Sequence, residues 1–93
     1  MSSGLVSVIT PCYNAGHLVH RLFDSILSQT YPNIEVIAVN DGSTDNTAEV
    51  IESYSSKFAE KGYSLIMLSQ QNQGMSVAIN NALKYVNGEY LVW

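Results

Sequence analysis

The sequence predicts a three-layer α/β fold of order βαβαβαβ, a single parallel sheet with helices on both faces. Three observations carry this. Residues 5–10 and 34–39 are short apolar runs rich in β-branched side chains, the composition of strands buried on both faces. After each of them, apolar residues recur at helical spacing. Each change of period is marked by Gly, Pro, Asn or Asp.

The first strand, 5–10, runs into Pro11-Cys12-Tyr13-Asn14. From His17, the residues Leu18, Val19, Leu22, Phe23, Ile26 and Leu27 form a helical stripe. Tyr31-Pro32-Asn33 ends it, because the residue before a proline avoids helix. The second strand, 34–39, exits through Asn40-Asp41-Gly42. A helix should begin in Ser43-Thr44-Asp45, where hydroxyl caps and a carboxylate suit a helix N-terminus. Its inward residues are Ala48, Ile51, Tyr54 and Phe58, and Gly62 closes it. Residues 63–69 form the third strand. The third helix follows 70–74 and carries Met75, Ala78, Ile79, Ala82, Leu83 and Val86. Lys84 falls in its last turn and Gly88 just past its end, and 89–93 is the fourth strand. Right-handed crossovers then give sheet order 3-2-1-4. The first two helices share one face and the third lies on the other. Strand order reverses beside the first strand, and ligands of open α/β sheets bind at such a crevice.

Composition narrows the partners. With 46% hydrophobic and 13% charged residues the chain is globular. Its net charge of −4, with only Arg21, Lys57, Lys61 and Lys84 positive, leaves no basic stripe for nucleic acid. The same scarcity means that a diphosphate would need a metal ion to supply positive charge. The single cysteine, Cys12, allows no internal disulfide and suits a reducing compartment. No apolar run is long enough to span a membrane. Residues 1–4 read as a flexible start or a cloning remnant, with no signal-peptide pattern. The expected location is the cytoplasm, at the inner membrane surface for the parent protein.

Candidate chemistry gathers at two strand ends. Asn40-Asp41-Gly42 precedes a helical pattern, which argues against a hairpin turn and puts Asp41 at the crevice. Tyr13, on the turn after the first strand, either stacks on a base or sugar or closes over the core. Asp45 reads as a residue of the first helical turn. Cys12 reads as an inert thiol, since a phosphatase loop would need arginine where Leu18 stands. His17 and His20 have a spacing that can share a metal, but no third ligand is near. Walker and GxGxxG loops are absent. Asn72-Gln73-Gly74 either caps the third helix or presents its amides to an anion.

In order along the chain, residues 6–14, 25–31 and 35–45, then Asn72-Gln73-Gly74 and 88–92, resemble the N-terminal portion of a family 2 glycosyltransferase with the Rossmann-like GT-A fold. The resemblance implies that residues 5–93 are the nucleotide-sugar-binding half of such a domain. The family transfers a sugar from a nucleotide diphosphate donor to a hydroxyl acceptor with inversion, for example in cell-surface polysaccharide synthesis. It implies that Pro11, Tyr13 and Asp41 hold the nucleoside, here uridine. Ser43 and Asn72 would be ribose or pyrophosphate neighbours, and Asn14 and Gly74 complete the donor-binding set. A carboxylate suits uracil, whose N3–H is a donor, whereas cytosine offers an acceptor there. Thymine passes the same test.

Two departures accompany the match. Ile79 precedes Asn80 where many relatives carry arginine. The metal-binding Asp-x-Asp expected after Tyr90-Leu91-Val92-Trp93 lies beyond this sequence. A divalent metal, Mn or Mg, is therefore expected in the full-length protein, with no metal ligand and no catalytic residue within these 93 residues. The stretch alone is expected to bind nucleotide weakly without transferring sugar. Its apolar strand 89–93 is expected to self-associate through its free edge. The alternative reading is a non-catalytic nucleotide-binding or self-associating α/β module. A phospho-receiver, the natural version, wants an acidic cluster after the first strand, and residues 10–14 hold none.

Overall fold

The computed structural model describes residues 4–93, so the expected flexible start lies, apart from Gly4, outside the described residues. The elements are β1 (Leu5–Cys12), α1 (Gly16–Leu27), β2 (Asn33–Asp41), α2 (Thr47–Ser53), α3 (Ser55–Lys61), β3 (Ser64–Gln70), α4 (Met75–Leu83) and β4 (Glu89–Val92). The sheet is parallel in order β3-β2-β1-β4, as the crossover rule predicts.

Strand alternation divides the core into two layers. Val8, Ile34, Val36 and Ala38 meet Val19, Phe23 and Ile26 of α1 and Val50, Ile51 and Phe58 of α2 and α3. On the opposite face, Ile9, Ile37 and Val39 pack on Ala78 and Ala82 of α4. Small alanines let that single helix approach the sheet closely. Residues 34–39 are all buried, which explains why the run is apolar at every position but Glu35.

Several local expectations are corrected. The helix expected from 43 to 62 is two helices, broken at Tyr54. Ser53 Oγ donates to Val50 O at 2.6 Å, occupying the carbonyl that the Tyr54 N–H would use. That N–H donates to Ile51 O at 3.1 Å instead, and the turn tightens. The Tyr54 hydroxyl donates to Asp24 at 2.9 Å and sits 3.0 Å from His20 Nδ1, tying the break to α1. Burial and then the Asp24 carboxylate push the Tyr54 pKa up to about 12. Leu18 and Met75, expected to face inward, are exposed. Leu18 and Leu22 instead line a cleft of about 460 Å³ with Pro11 and Trp93.

Gly62 closes α3 in the left-handed conformation as expected. Gly88 does not act as a cap. It lies five positions past the end of α4, and a side chain there would collide with Leu5 O of β1. Glu35, buried at the opposite end of the sheet from the β2 exit, holds this region together. It accepts from Ser7 Oγ at 2.5 Å, Asn87 N–H at 2.9 Å and Asn87 Nδ2 at 3.2 Å. No helix among the described residues is long and apolar enough to cross a membrane.

Candidate functional site

Three loops meet at the carboxyl edge of the sheet: 13–15 after β1, 42–46 after β2 and 71–74 after β3. Cys12 is in register with Asn40, so Tyr13 and Asp41 follow one another at neighbouring strand ends. Side chains on each loop satisfy backbone groups of the next.

Asn14 joins the first two loops. Its φ of 48° is a left-handed value that Asn tolerates better than most residues. Its backbone N–H donates to Ser43 Oγ at 3.0 Å. Its Oδ1 accepts from Thr44 N–H at 2.8 Å and Asp45 N–H at 3.3 Å. Ala15 N–H donates to Thr47 Oγ1 at 2.9 Å. Ser43 and Thr44, expected as helix caps, therefore serve this brace, and α2 starts later. Asp45 takes the capping role: its Oδ1 accepts from Thr47 N–H at 3.0 Å and from the Thr47 hydroxyl. Its side chain serves the helix start from two residues before α2, not from within the first helical turn as the sequence reading has it, and the Thr47 hydroxyl leads the bonds that hold its carboxyl below the usual range.

Asp41 joins the second and third loops. It is 6% exposed. Its Oδ1 accepts from Gln70 Nε2 at 2.8 Å and Gln73 N–H at 2.8 Å, and its Oδ2 from Gly74 N–H at 3.1 Å. The Gln70 amide, then these N–H groups, hold the carboxyl below its ordinary value, so it is ionised at neutral pH. A carboxylate has about four acceptor positions. Three are filled by the described residues, which leave one on Oδ2. Gly42 makes this packing possible: with φ +69°, it lets Asn72 N approach to 2.7 Å of where a Cβ would stand.

The candidate residues thus fall in two groups. Asn14, Asp41, Ser43, Asn72 and Gly74 belong to the interlocked loops. Pro11 lies within β1, two residues before the loop, on the wall of the Leu18–Trp93 cleft. Tyr13 is half exposed. Cys12 is buried, and burial pushes its thiol above the ordinary range, as expected of an inert group. Sequence reasoning missed Gln70 and Thr47. Only a polar residue at the end of an apolar strand hinted at Gln70. Among the described residues, no group of three His, Cys, Asp or Glu could hold a metal, and His20 is taken by Tyr54.

A model of glycosyl transferase family 2 matches residues 7–93. The chain is 38% identical over 88 residues to glycosyltransferase GlyA of Streptococcus pneumoniae, covering 95% of this chain and 12% of that protein. It is 36% identical over 92 residues to the uncharacterized glycosyltransferase YibD of Escherichia coli, covering 99% of this chain and 26% of that protein. Staphylococcus aureus TarS 1–349 in complex with UDP superposes with a TM-score of 0.83 at 32% identity, covering 95% of this chain and 26% of that one. Mannosyltransferase PcManGT from Pyrobaculum calidifontis, in complex with GDP-Man and Mn2+, gives 0.77 at 30% identity, covering 88% of this chain and 24% of that one. The chain spans about a quarter or less of the length of these relatives. With the Rossmann-like sheet of order 3-2-1-4, the interlocked rim at its carboxyl edge and a family match over nearly all its length, this chain belongs to glycosyl transferase family 2 and has the GT-A type of fold.

Proposed function

We propose that this chain is the donor-binding portion of an inverting glycosyltransferase that takes a UDP-sugar and passes the sugar to a hydroxyl acceptor, as in cell-surface polysaccharide synthesis. The observation that carries the reading is the open acceptor position on Asp41 Oδ2, at the exit of β2 and beside the Tyr13 turn. Uracil offers one donor, N3–H, between two carbonyls, and so matches a single acceptor position. Guanine presents two adjacent donors and asks for two. Cytosine would set its own acceptor against the carboxylate and leave a charge unpaired. Tyr13 supplies an aromatic face for the base, with Pro11 behind it and Asn14, Ser43, Asn72 and Gly74 around the ribose and pyrophosphate. The solved relatives support the donor class: TarS was crystallised with UDP and with UDP-GlcNAc, and PcManGT with GDP-Man.

The acceptor side, the base that deprotonates the hydroxyl and the divalent Mn or Mg belong, in this reading, to the length that relatives have beyond the matched quarter. These 93 residues on their own bind nucleotide weakly and transfer nothing. A lone buried thiol suits a reducing compartment such as the cytoplasm. Calorimetric titration of the full-length protein with UDP tests the site. Asp41→Ala should weaken binding roughly tenfold to a hundredfold, the scale of one charge-assisted hydrogen bond. Unchanged affinity would remove Asp41 from the nucleoside site.

One observation favours self-association when the 93 residues stand alone. Among the described residues β4 pairs only with β1, and Tyr90, Leu91, Val92 and Trp93 are each 44–55% exposed. Light scattering of the isolated 93 residues should show a mass that grows with concentration. A constant monomer mass would refute the edge pairing.

A further inference from the structure

We propose that Gln70 and Asn81 are positioning residues that sharpen base selection by holding Asp41 in one orientation. The inference rests on the reading that Asp41 meets the base. Gln70 closes β3, and Asn81 lies on the second half of α4. Asn81 Nδ2 donates to Gln70 Oε1 at 2.6 Å, and Gln70 Nε2 donates to Asp41 Oδ1 at 2.8 Å. The direction of this chain is dictated by charge. An ionised carboxylate accepts only, so Gln70 must turn its nitrogen toward Asp41 and its oxygen toward α4. That oxygen then requires a donor, and Asn81 supplies it.

The geometry explains why a third donor matters. Gln73 and Gly74 are consecutive, and each gives one N–H, so both bonds arise from one loop segment. They would follow that segment if it shifted. Gln70 fixes Oδ1 from a different element, the edge strand β3, and its amide is itself oriented by Asn81 of α4. With all three donors in place the carboxylate cannot turn, and the remaining position on Oδ2 stays aimed in one direction. A freely turning carboxylate could still bind a uracil donor. It could also swing away from the acceptor of cytosine, which lowers the cost of the wrong base.

The selectivity ratio tests this, because a purely structural role would weaken UDP and CDP alike. In the full-length protein, both nucleotides are titrated against wild type, Gln70→Leu, Asn81→Leu and the double variant, with melting temperature as a folding control. Gln70→Leu should narrow the UDP-over-CDP preference about fivefold to tenfold, and Asn81→Leu should narrow it less. The double variant should match Gln70→Leu alone, since Asn81 acts through Gln70. A ratio that stays at the wild-type value in Gln70→Leu overturns the proposal, as does additivity in the double variant. Asn81 lies on a partly exposed helix face, so Asn81→Leu still decides the matter if Gln70→Leu fails to fold: an unmoved ratio then counts against the relay. An Asp41→Ala variant that keeps wild-type UDP affinity defeats the nucleoside assignment itself. Loss of affinity in Asp41→Ala with unmoved ratios in the others defeats only the positioning role.

Discussion

Gly42→Ala should unlatch the rim and weaken UDP binding by at least about a hundredfold, more than the loss of any single ligand contact. Two costs combine at this position. The φ of +69° is left-handed, which costs an alanine roughly 1–2 kcal/mol. The added methyl would also meet Asn72 N at 2.7 Å, Asn72 Cβ at 3.1 Å and Asn72 Cα at 3.2 Å. Two of these are backbone atoms, so relief must come from moving the 71–74 loop. That loop carries the Gln73 and Gly74 N–H groups bound to Asp41, and the carboxylate loses them together. The total cost to stability should be about 2–5 kcal/mol. Gly62→Ala separates the two contributions. Its φ is +82°, but nothing lies within 4 Å of the new methyl. It should cost only the backbone term, about 1–2 kcal/mol, and leave nucleotide binding untouched. Denaturant melts and UDP titrations of the two variants, side by side, check this. Equal losses in both would show that crowding against Asn72 is irrelevant.

Glu35→Ala should produce a comparable loss far from the site, about 3 kcal/mol at neutral pH. Ser7 is fully buried, and its hydroxyl has Glu35 as acceptor at 2.5 Å. Asn87 N–H reaches the same oxygen at 2.9 Å. Removing the carboxylate withdraws a charged acceptor from β1 and from the α4–β4 connection at once. Glu35→Gln should lose less, because one carbonyl oxygen remains and the Asn87 amide can turn to match it. The pH dependence has a definite sign. Burial alone would raise the Glu35 pKa, but the bonds from Ser7 and Asn87 outweigh it and hold the carboxyl below its ordinary 4.5. Its stabilisation is therefore complete above pH 4.5 and disappears as pH falls through the lower folded value. The gap between wild type and Glu35→Ala should shrink in melts at pH 3 relative to pH 7. A gap that stays constant would mean that the charge contributes nothing.

Much of this architecture was legible because backbone periodicity and burial agree. The nearly continuous apolar run 34–39 marks a strand covered on both faces, and crossover handedness orders the rest. Two of the failures share a cause: side chains that hydrogen-bond to backbone where spacing alone suggests a simple helix. Ser53 ends α2 by bonding to Val50, and nothing in the 3.6 period marks that. Ser43 and Thr44 look like caps, yet their partner is Asn14, about thirty residues away. Gly88 resembles a helix stop, while its real constraint is Leu5 on another strand. The site was half readable for the same reason. Asp41 stands out by its place after a buried strand. Gln70, Gln73 and Asn81 gain meaning only once β3 and α4 fold beside it.

The bracing of the rim through Asn14 and Asp41 also constrains how such a protein can diversify. Each brace ends on a main-chain amide of a neighbouring loop, so the three loop lengths are locked to one another. One inserted residue would throw several amides out of step. Exchange of outward side chains such as Tyr13, Gln71 and Asn72 leaves every brace intact. New preferences at this rim should therefore arise by substitution at constant length.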